Sequence, residues 1–462
     1  MEKYNDISIN KYYFLVESQT FEKYIKKNTP QDKTEIIYVY GNFNINKLDH
    51  IDLEKLKMYE QKYGIPNLWL YVTADRYYRE FEEEKILKAL NWHIEFCENL
   101  FNNCKNDIFI STDVSGIYGG LMEKIAKERG IISLKIVNSS LPKPTRLYVS
   151  DSMYFIPNGM EEKYNELLNR DLTDEELQIA KEIVDFYRNK YSVPASMATF
   201  KSKRINYLRA TKNIFRKGFN FFFRGVSNLY TISDVIKYSV FFIKFRKFII
   251  ETFYKRLFKE PDFKEKYFYF PLHEQPELSI DLNAPFYMDQ IYLIENIAKC
   301  MPIGYKLYVK EHPATIGMRP VKYYKRFQKI PRIKLIKTEF NHNTLIKNSA
   351  GITTITGTAG WEGLILGKPV MSFGYTFYNI MKGSVFFVKD FFNLPYLFQE
   401  IVSSFKPNEE NILKICYAKY ISTYPGSIAP PSFDNTVVSD ENIQNLYKVI
   451  INEIQTRINK NN

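Results

Sequence analysis

Along most of this chain, short apolar runs of strand length alternate with stretches whose apolar residues recur at i, i+3 and i+4. In the first third, "TEIIYVYGNF" (34–43) predicts a strand entering a turn, and "NLWLYVTAD" (67–75) predicts another strand. The helical period holds from 81 to 102. "DIFISTDVSG" (107–116) then predicts a buried strand ending in a polar loop. "GLMEKIAKERG" (120–130) predicts an amphipathic helix closed by a glycine, and "IISLKIV" (131–137) the next strand. Strand, loop, helix, strand in that order predicts a parallel α/β sheet. A helix is expected over 171–190, capped by Thr173 with Glu176 three residues on.

The same alternation restarts near Lys264. "KYFYFPLH" (266–273) predicts a strand, "MDQIYLIENIAKCM" (288–301) an amphipathic helix, and "YKLYVKEHP" (305–313) a strand running into a loop. "IKLIK" predicts a strand and "HNTLIKNS" a short helix; "AGITTITGTAGWEGLILGKPVMSFG" predicts strand, loop, helix and strand, and a last helix runs from 439 to about 460. Two α/β halves are therefore expected. The division is 1–190 for an N-terminal Rossmann-like lobe, 191–262 for a basic helical segment, 263–438 for a C-terminal Rossmann-like lobe, and 439–462 for a closing helix. A cleft between the lobes is the default ligand site.

Composition sharpens this in three ways. A chain of 462 residues, 45% apolar, suits two domains with sizeable cores. Cys97, Cys104, Cys300 and Cys416 form neither a CxxC pair nor a zinc-ligand spacing, which fits reduced cysteines in a cytoplasmic protein. No signal peptide and no apolar run of spanning length is visible. Charge is localised: Lys201–Glu260 holds fifteen Lys or Arg against three acids, and the rest of the chain balances at 49 of each. Interleaved Phe, Ile and Lys/Arg there fit an interfacial helix on acidic lipid. An interdomain insert with its charges in water is the alternative. Nucleic acid is disfavoured for want of a binding motif.

Candidate chemistry sits in three strand-end segments. Thr356-Gly357-Thr358-Ala359-Gly360 is a small-residue loop between a strand and a helix, where backbone N–H groups and hydroxyls suit a nucleotide phosphate. Glu362, in the first helical turn, is placed to hold ribose hydroxyls. His312, with Lys310 before it and Pro313 after it, follows an apolar strand and suits a phosphate oxygen or a departing phosphate. His273, Gln275 and Glu277 are polar groups spaced by two at a third strand end. Asp113, in "STDVSG" after a buried strand, is the candidate general base, with Arg146 and Asp151, in another loop, ranked below it. The chain has no Asp-x-Asp pair to hold a divalent ion against a diphosphate, so no metal and no cofactor is expected.

"KYFYFPLHEQPELS", "YKLYVKEHP" and "ITGTAGWEGLILGKPVMSFGYTFY", in this order, resemble the C-terminal half of the capsular polysaccharide synthesis family, which includes Kdo transferases. The resemblance covers 264–378 well and the N-terminal half only loosely, through "IFISTDVSGIYGGLMEKIAKERGI". It implies a GT-B fold and a metal-independent glycosyltransferase using a nucleotide sugar, with CMP as the carrier, and a glycan or lipid-linked acceptor. It also implies that His312-Pro313 contacts the donor phosphate and that Thr356-Gly357-Thr358 contacts the nucleotide. The expected location is the cytoplasm, peripheral at the inner face of the membrane. A CDP-polyol phosphotransferase of the teichoic-acid type and a non-catalytic capsule scaffold stand as alternatives.

Overall fold

The structure, a computed structural model, describes residues 10–16, 22–39, 43, 48, 50–75, 78, 81–104, 108–112, 116–190 and 240–461, apart from 143, 153, 276, 313–314 and 430–434. Asp113, Pro313 and residues 191–239 of the basic segment lie outside the described residues.

The chain forms a two-lobed α/β fold. In the first lobe β3 (Ile108–Ser111) pairs in parallel with β4 (Ile132–Asn138), which pairs antiparallel with β5 (Arg146–Ser150). β1 (Tyr12–Val16) and β2 (Thr34–Tyr38) form a separate parallel pair. Helix Gly116–Glu128 connects β3 to β4 and ends where Gly130 turns to φ +69° and Ile131 N–H closes onto the Ala126 carbonyl. Helix Asp174–Asp185 starts on a complete capping box between Thr173 and Glu176, as its sequence requires.

One expectation is corrected. Residues 67–75 are not a strand; Trp69–Ala74 is a helix, with Tyr71, Val72 and Ala74 buried. A short apolar run carries no period that separates strand from buried helix, and here packing decides. Gly120 lets the Tyr71 ring lie against helix Gly116–Glu128, where a Cβ would stand 2.0 Å from that ring.

The second lobe is a six-stranded, wholly parallel sheet in the order β11-β10-β9-β6-β7-β8. Its strands are β6 (Lys266–Pro271), β7 (Tyr305–Lys310), β8 (Ile333–Ile336), β9 (Gly351–Thr354), β10 (Val370–Ser372) and β11 (Val385–Phe387). They read as near-continuous apolar runs because both faces are covered. Alternate residues sort by face: Tyr267, Tyr269 and Tyr308 join one core, and Phe268, Phe270, Leu307 and Val309 the other.

Packing crosses the expected linear division twice. Met160, Tyr164, Leu167, Ile183 and Tyr187 share the core of Tyr267, Tyr269 and Trp361, so this part of 1–190 packs on the second sheet. Conversely, β12 (Tyr424–Pro425) extends the first sheet beside β5, and Val449 and Ile454 of helix Asp440–Asn461 cover Leu134, Ile136, Leu147 and Val149. Both crossings have one cause: each sheet needs a helical cover, and the nearest amphipathic helix in space is not the nearest in sequence.

Candidate functional site

Every strand of the second sheet ends on the same edge. The chain leaves β6 for β7 and β8 on one side, then returns to β9 on the other, so the strand order reverses at the β6–β9 pair. Loops at such a reversal diverge and leave a crevice for a ligand. His273, His312 and Thr356 each stand two residues beyond the end of β6, β7 and β9, respectively. The three strands are neighbours, with β6 in the middle, so the three predicted loops share one edge.

The loops are tied together. His273 is 7% exposed, and its Nε2 accepts the Thr356 N–H at 3.3 Å and lies 3.3 Å from Thr354 Oγ1. Accepting an amide fixes Nε2 as the lone-pair nitrogen and assigns the ring proton to Nδ1, beside the Pro271 carbonyl. Burial pushes this imidazole down to about 3, helped by the nearby Arg319 and His312 charges, so it is neutral at pH 7. The Gly357 N–H donates to Thr354 Oγ1 at 3.2 Å. Two amides expected to face a phosphate are thus used inside the loop. Donors at the start of helix Thr358–Ile365 remain: Thr358 and Ala359 occupy the first turn, where backbone N–H groups have no intrahelical acceptor. Gly357 is required here, since a Cβ would meet His273 Nε2 at 2.9 Å and Thr354 Oγ1 at 3.0 Å. Gly360 is equally constrained, by the Tyr378 hydroxyl at 2.4 Å from a Cβ; that hydroxyl donates to the Gly357 carbonyl at 2.8 Å.

Sequence reasoning missed the pair that holds the second histidine. Glu311 is 1% exposed and accepts four hydrogen bonds: from the His312 N–H at 2.7 Å, Thr315 Oγ1 at 2.6 Å, Arg319 Nη1 at 2.6 Å and the Tyr324 hydroxyl at 2.7 Å. Arg319 Nη2 donates to the His273 carbonyl at 2.5 Å. One buried guanidinium therefore clasps the loops after β6 and β7. The available signal was a charged residue between an apolar strand and a proline, since such a residue is buried only when paired. His312 itself is half-buried; burial pushes its pKa down, while Glu274 and Glu311 oppose that shift and Lys310 and Arg319 add to it. Lys310 is buried at the end of β7.

The remaining candidates have other surroundings. Gln275 accepts from Gln290 Nε2 at 2.8 Å and donates to the Met288 carbonyl at 2.9 Å, so it braces its own loop; Glu277 is exposed. Glu362 is buried, with Oε2 3.0 Å from His342 Nε2, and His342 Nδ1 lies 2.8 Å from the Tyr269 hydroxyl, beneath the sheet edge. Arg146 donates to Thr423 Oγ1 at 2.6 Å, and Asp151 pairs with Arg457 at 2.5 Å, so both fasten the C-terminal residues to the first lobe. A groove of about 610 Å³ lies at that junction, lined by Leu141, Pro142, Arg146, Ile179, Phe186 and Tyr420, none of them in the three loops.

The same segment is recognised by comparison. Residues 255–383 match the model of the capsule polysaccharide biosynthesis protein family. Protein FixF of Sinorhizobium fredii is 29% identical over 133 residues, which are 27% of this chain and 31% of that protein, so the match spans about a third of the relative's length. Among solved structures, the KpsC beta Kdo 2,7 transferase of Thermosulfurimonas dismutans aligns with 76% of this chain and 91% of its own, at 13% identity and a TM-score of 0.39. The beta Kdo 2,4 transferase of the same organism aligns with 71% and 88%, at 17% identity and a TM-score of 0.38. The UDP-bound MnaA of S. aureus aligns with 88% and 91%, at 14% identity and a TM-score of 0.28. The capsule-synthesis segment carries both histidine loops, the Glu311–Arg319 clasp and the glycine loop.

Proposed function

We propose that this protein is a cytoplasmic glycosyltransferase of surface polysaccharide synthesis that takes a sugar from a nucleotide donor, CMP-linked, and passes it to a glycan or lipid-linked acceptor. The observation that carries this reading is the meeting of the His273, His312 and Thr356 loops on one edge of a parallel sheet, at its reversal point, inside the family segment.

In this reading the donor phosphate lies against the first-turn amides of Thr358 and Ala359, with Thr356 and Thr358 hydroxyls beside it. Lys310 supplies positive charge, and His312 donates a hydrogen bond to the phosphate oxygen that gains charge as the glycosidic C–O bond breaks. His273 does not touch the phosphate; it holds the glycine loop in place. Asp113 takes the proton of the attacking acceptor hydroxyl. The departing nucleotide carries the bonding electron pair on its phosphate, and the acceptor oxygen forms the new C–O bond. No metal ion takes part, so transfer persists in EDTA.

Thermal melting in the presence of CMP or UDP is the first test, because a ligand that binds only the folded state raises the melting temperature. CMP is expected to raise it. A shift by UDP alone overturns the carrier, and no shift by either overturns the site. His312→Ala is expected to abolish transfer while leaving the melting temperature of the free protein unchanged. Product analysis with CMP-sugars against CDP-glycerol and CDP-ribitol then decides between sugar and polyol-phosphate transfer.

A further inference from the structure

Helix Val240–Phe253 is the described part of the basic segment, and it is not a buried interdomain strut. Ile250 anchors it in the core below the second sheet, and Phe258 follows it there. Its outer side is aromatic. Phe245 is 51% exposed, Phe248 58% and Phe253 70%. Phe245 and Phe248, three residues apart, lie on the side of the helix turned from Ile250, and Phe253 stands exposed at its C-terminal end. Lys247, Lys255 and Arg256 are exposed near them, against one exposed acid in the helix, Glu251, whose Oε1 lies 3.7 Å from Lys247 Nζ. A globular protein does not gain by leaving phenyl rings more than half exposed beside cations. The surrounding 201–260 segment contains the whole net charge of the chain, fifteen basic residues against three acidic ones.

The placement of the helix adds a direction. Arg246 Nη1 reaches the Met318 carbonyl at 3.4 Å, Lys325 stands 5.0 Å from the Tyr254 ring, and Lys259 N–H bonds to the Leu335 carbonyl at 2.7 Å. The helix therefore abuts the stretch 315–325, which begins with the Thr315 and Arg319 partners of Glu311. The helix and the His312 loop are thus joined through this stretch.

We propose that the Val240–Phe253 helix is an interfacial anchor for an anionic bilayer, with Phe245, Phe248 and Phe253 entering the acyl boundary and Lys247, Lys255 and Arg256 meeting lipid phosphates. Charge and chemistry select this occupant. Apolar rings ringed by cations match a surface that is apolar beneath and anionic at its face. A second copy of the chain would bring like charge against like charge. The anchor does not depend on the transferase reading, since no reacting group belongs to it. If both hold, the His312 loop is brought to the depth of a lipid-linked acceptor.

The test is flotation of the full chain with phosphatidylcholine vesicles, with and without phosphatidylglycerol. Binding to the anionic vesicles is expected to exceed binding to neutral ones by about tenfold or more, and to fall in high salt. The Phe245→Ser/Phe248→Ser/Phe253→Ser variant is expected to lose about tenfold or more of that binding. Its melting temperature and its response to CMP are expected to stay unchanged, which separates loss of the anchor from loss of the fold or of the nucleotide site. Equal binding to neutral vesicles, no binding to either, or an undiminished triple variant overturns the proposal. So does a concentration-dependent dimer that the triple variant abolishes, because the face would then belong to another copy.

Discussion

Two buried histidines give this fold a distinct acid response. His93, fully buried with Nε2 2.8 Å from the Tyr78 hydroxyl, and His273, under the glycine loop, are both pushed down to about 3 by burial. In the unfolded chain each titrates near its ordinary value of about 6.5. Below that value the unfolded state binds protons that the folded state refuses, so stability is fully present above about pH 6.5 and is lost as pH falls toward 3. Between pH 7 and pH 5 each histidine costs about 2 kcal/mol of stability. Glu176 and Glu265, lowered to about 2, lose their contribution only below their ordinary 4.5, so the pH 5–7 window isolates the histidines. Urea unfolding at pH 7 and pH 5 measures the difference, and His93→Gln with His273→Gln is expected to shrink it, leaving the contribution of half-buried His312, whose pKa burial also lowers. Equal stability of the native chain at both values would show that these rings are open to protons when folded.

At the scale of elements, the decisive interactions join strand-end loops. Arg319 spans from Glu311, after β7, to the carbonyl of His273, after β6. A buried ion pair yields little net stability when intact, but removing one partner strands the other, at about 3–5 kcal/mol. Glu311→Ala is therefore expected to lower stability by about that amount and weaken CMP binding, because His312 loses the acceptor of its backbone N–H. Glu311→Ala/Arg319→Met is expected to recover part of the stability without recovering CMP binding, as measured by urea unfolding and titration calorimetry. Additive losses in the double variant would refute the coupling. In "YVKEHP" the sequence pattern located His312 but left Glu311 as a spacer, and the fold alone supplies its partner Arg319. The strands β6, β7 and β9, the capping box at Thr173 and the glycine loop were legible because each rests on local chemistry: an apolar run, a side chain reaching a nearby amide, a backbone needing room. The helix at Trp69–Ala74 was not, since six residues show no usable period. The His342 neighbour of Glu362 was hidden for the opposite reason. A carboxylate in a first helical turn looks ligand-facing from sequence, and only the fold brings His342 to meet it from another element.

At the scale of the whole molecule, the chain does not fold as two beads on a string. Helices from the first half cover the second sheet, and the C-terminal residues return to complete the first. Lys419 stands where these paths meet. It is buried with Nζ 2.7 Å from Ser140 Oγ in the first lobe, over the Trp361 and Phe377 rings of the second at 4.3 and 3.8 Å. Each lobe's core is thus finished by residues supplied from the other half of the sequence. Deleting 424–462 removes β12 and the final helix, which uncovers Leu134, Ile136, Leu147 and Val149 on a sheet more than two hundred and seventy positions upstream. Each aliphatic side chain returned to water costs about 1.5–3 kcal/mol, so the sum approaches the whole stability of a domain. The truncated chain is expected to melt far below the intact one and to be cut by protease first within 108–150, although the glycine loop and its histidines are untouched. An unchanged melting temperature and an intact 108–150 region would mean that the first sheet stands without its returning helix, and that the lobes are divided by sequence order after all.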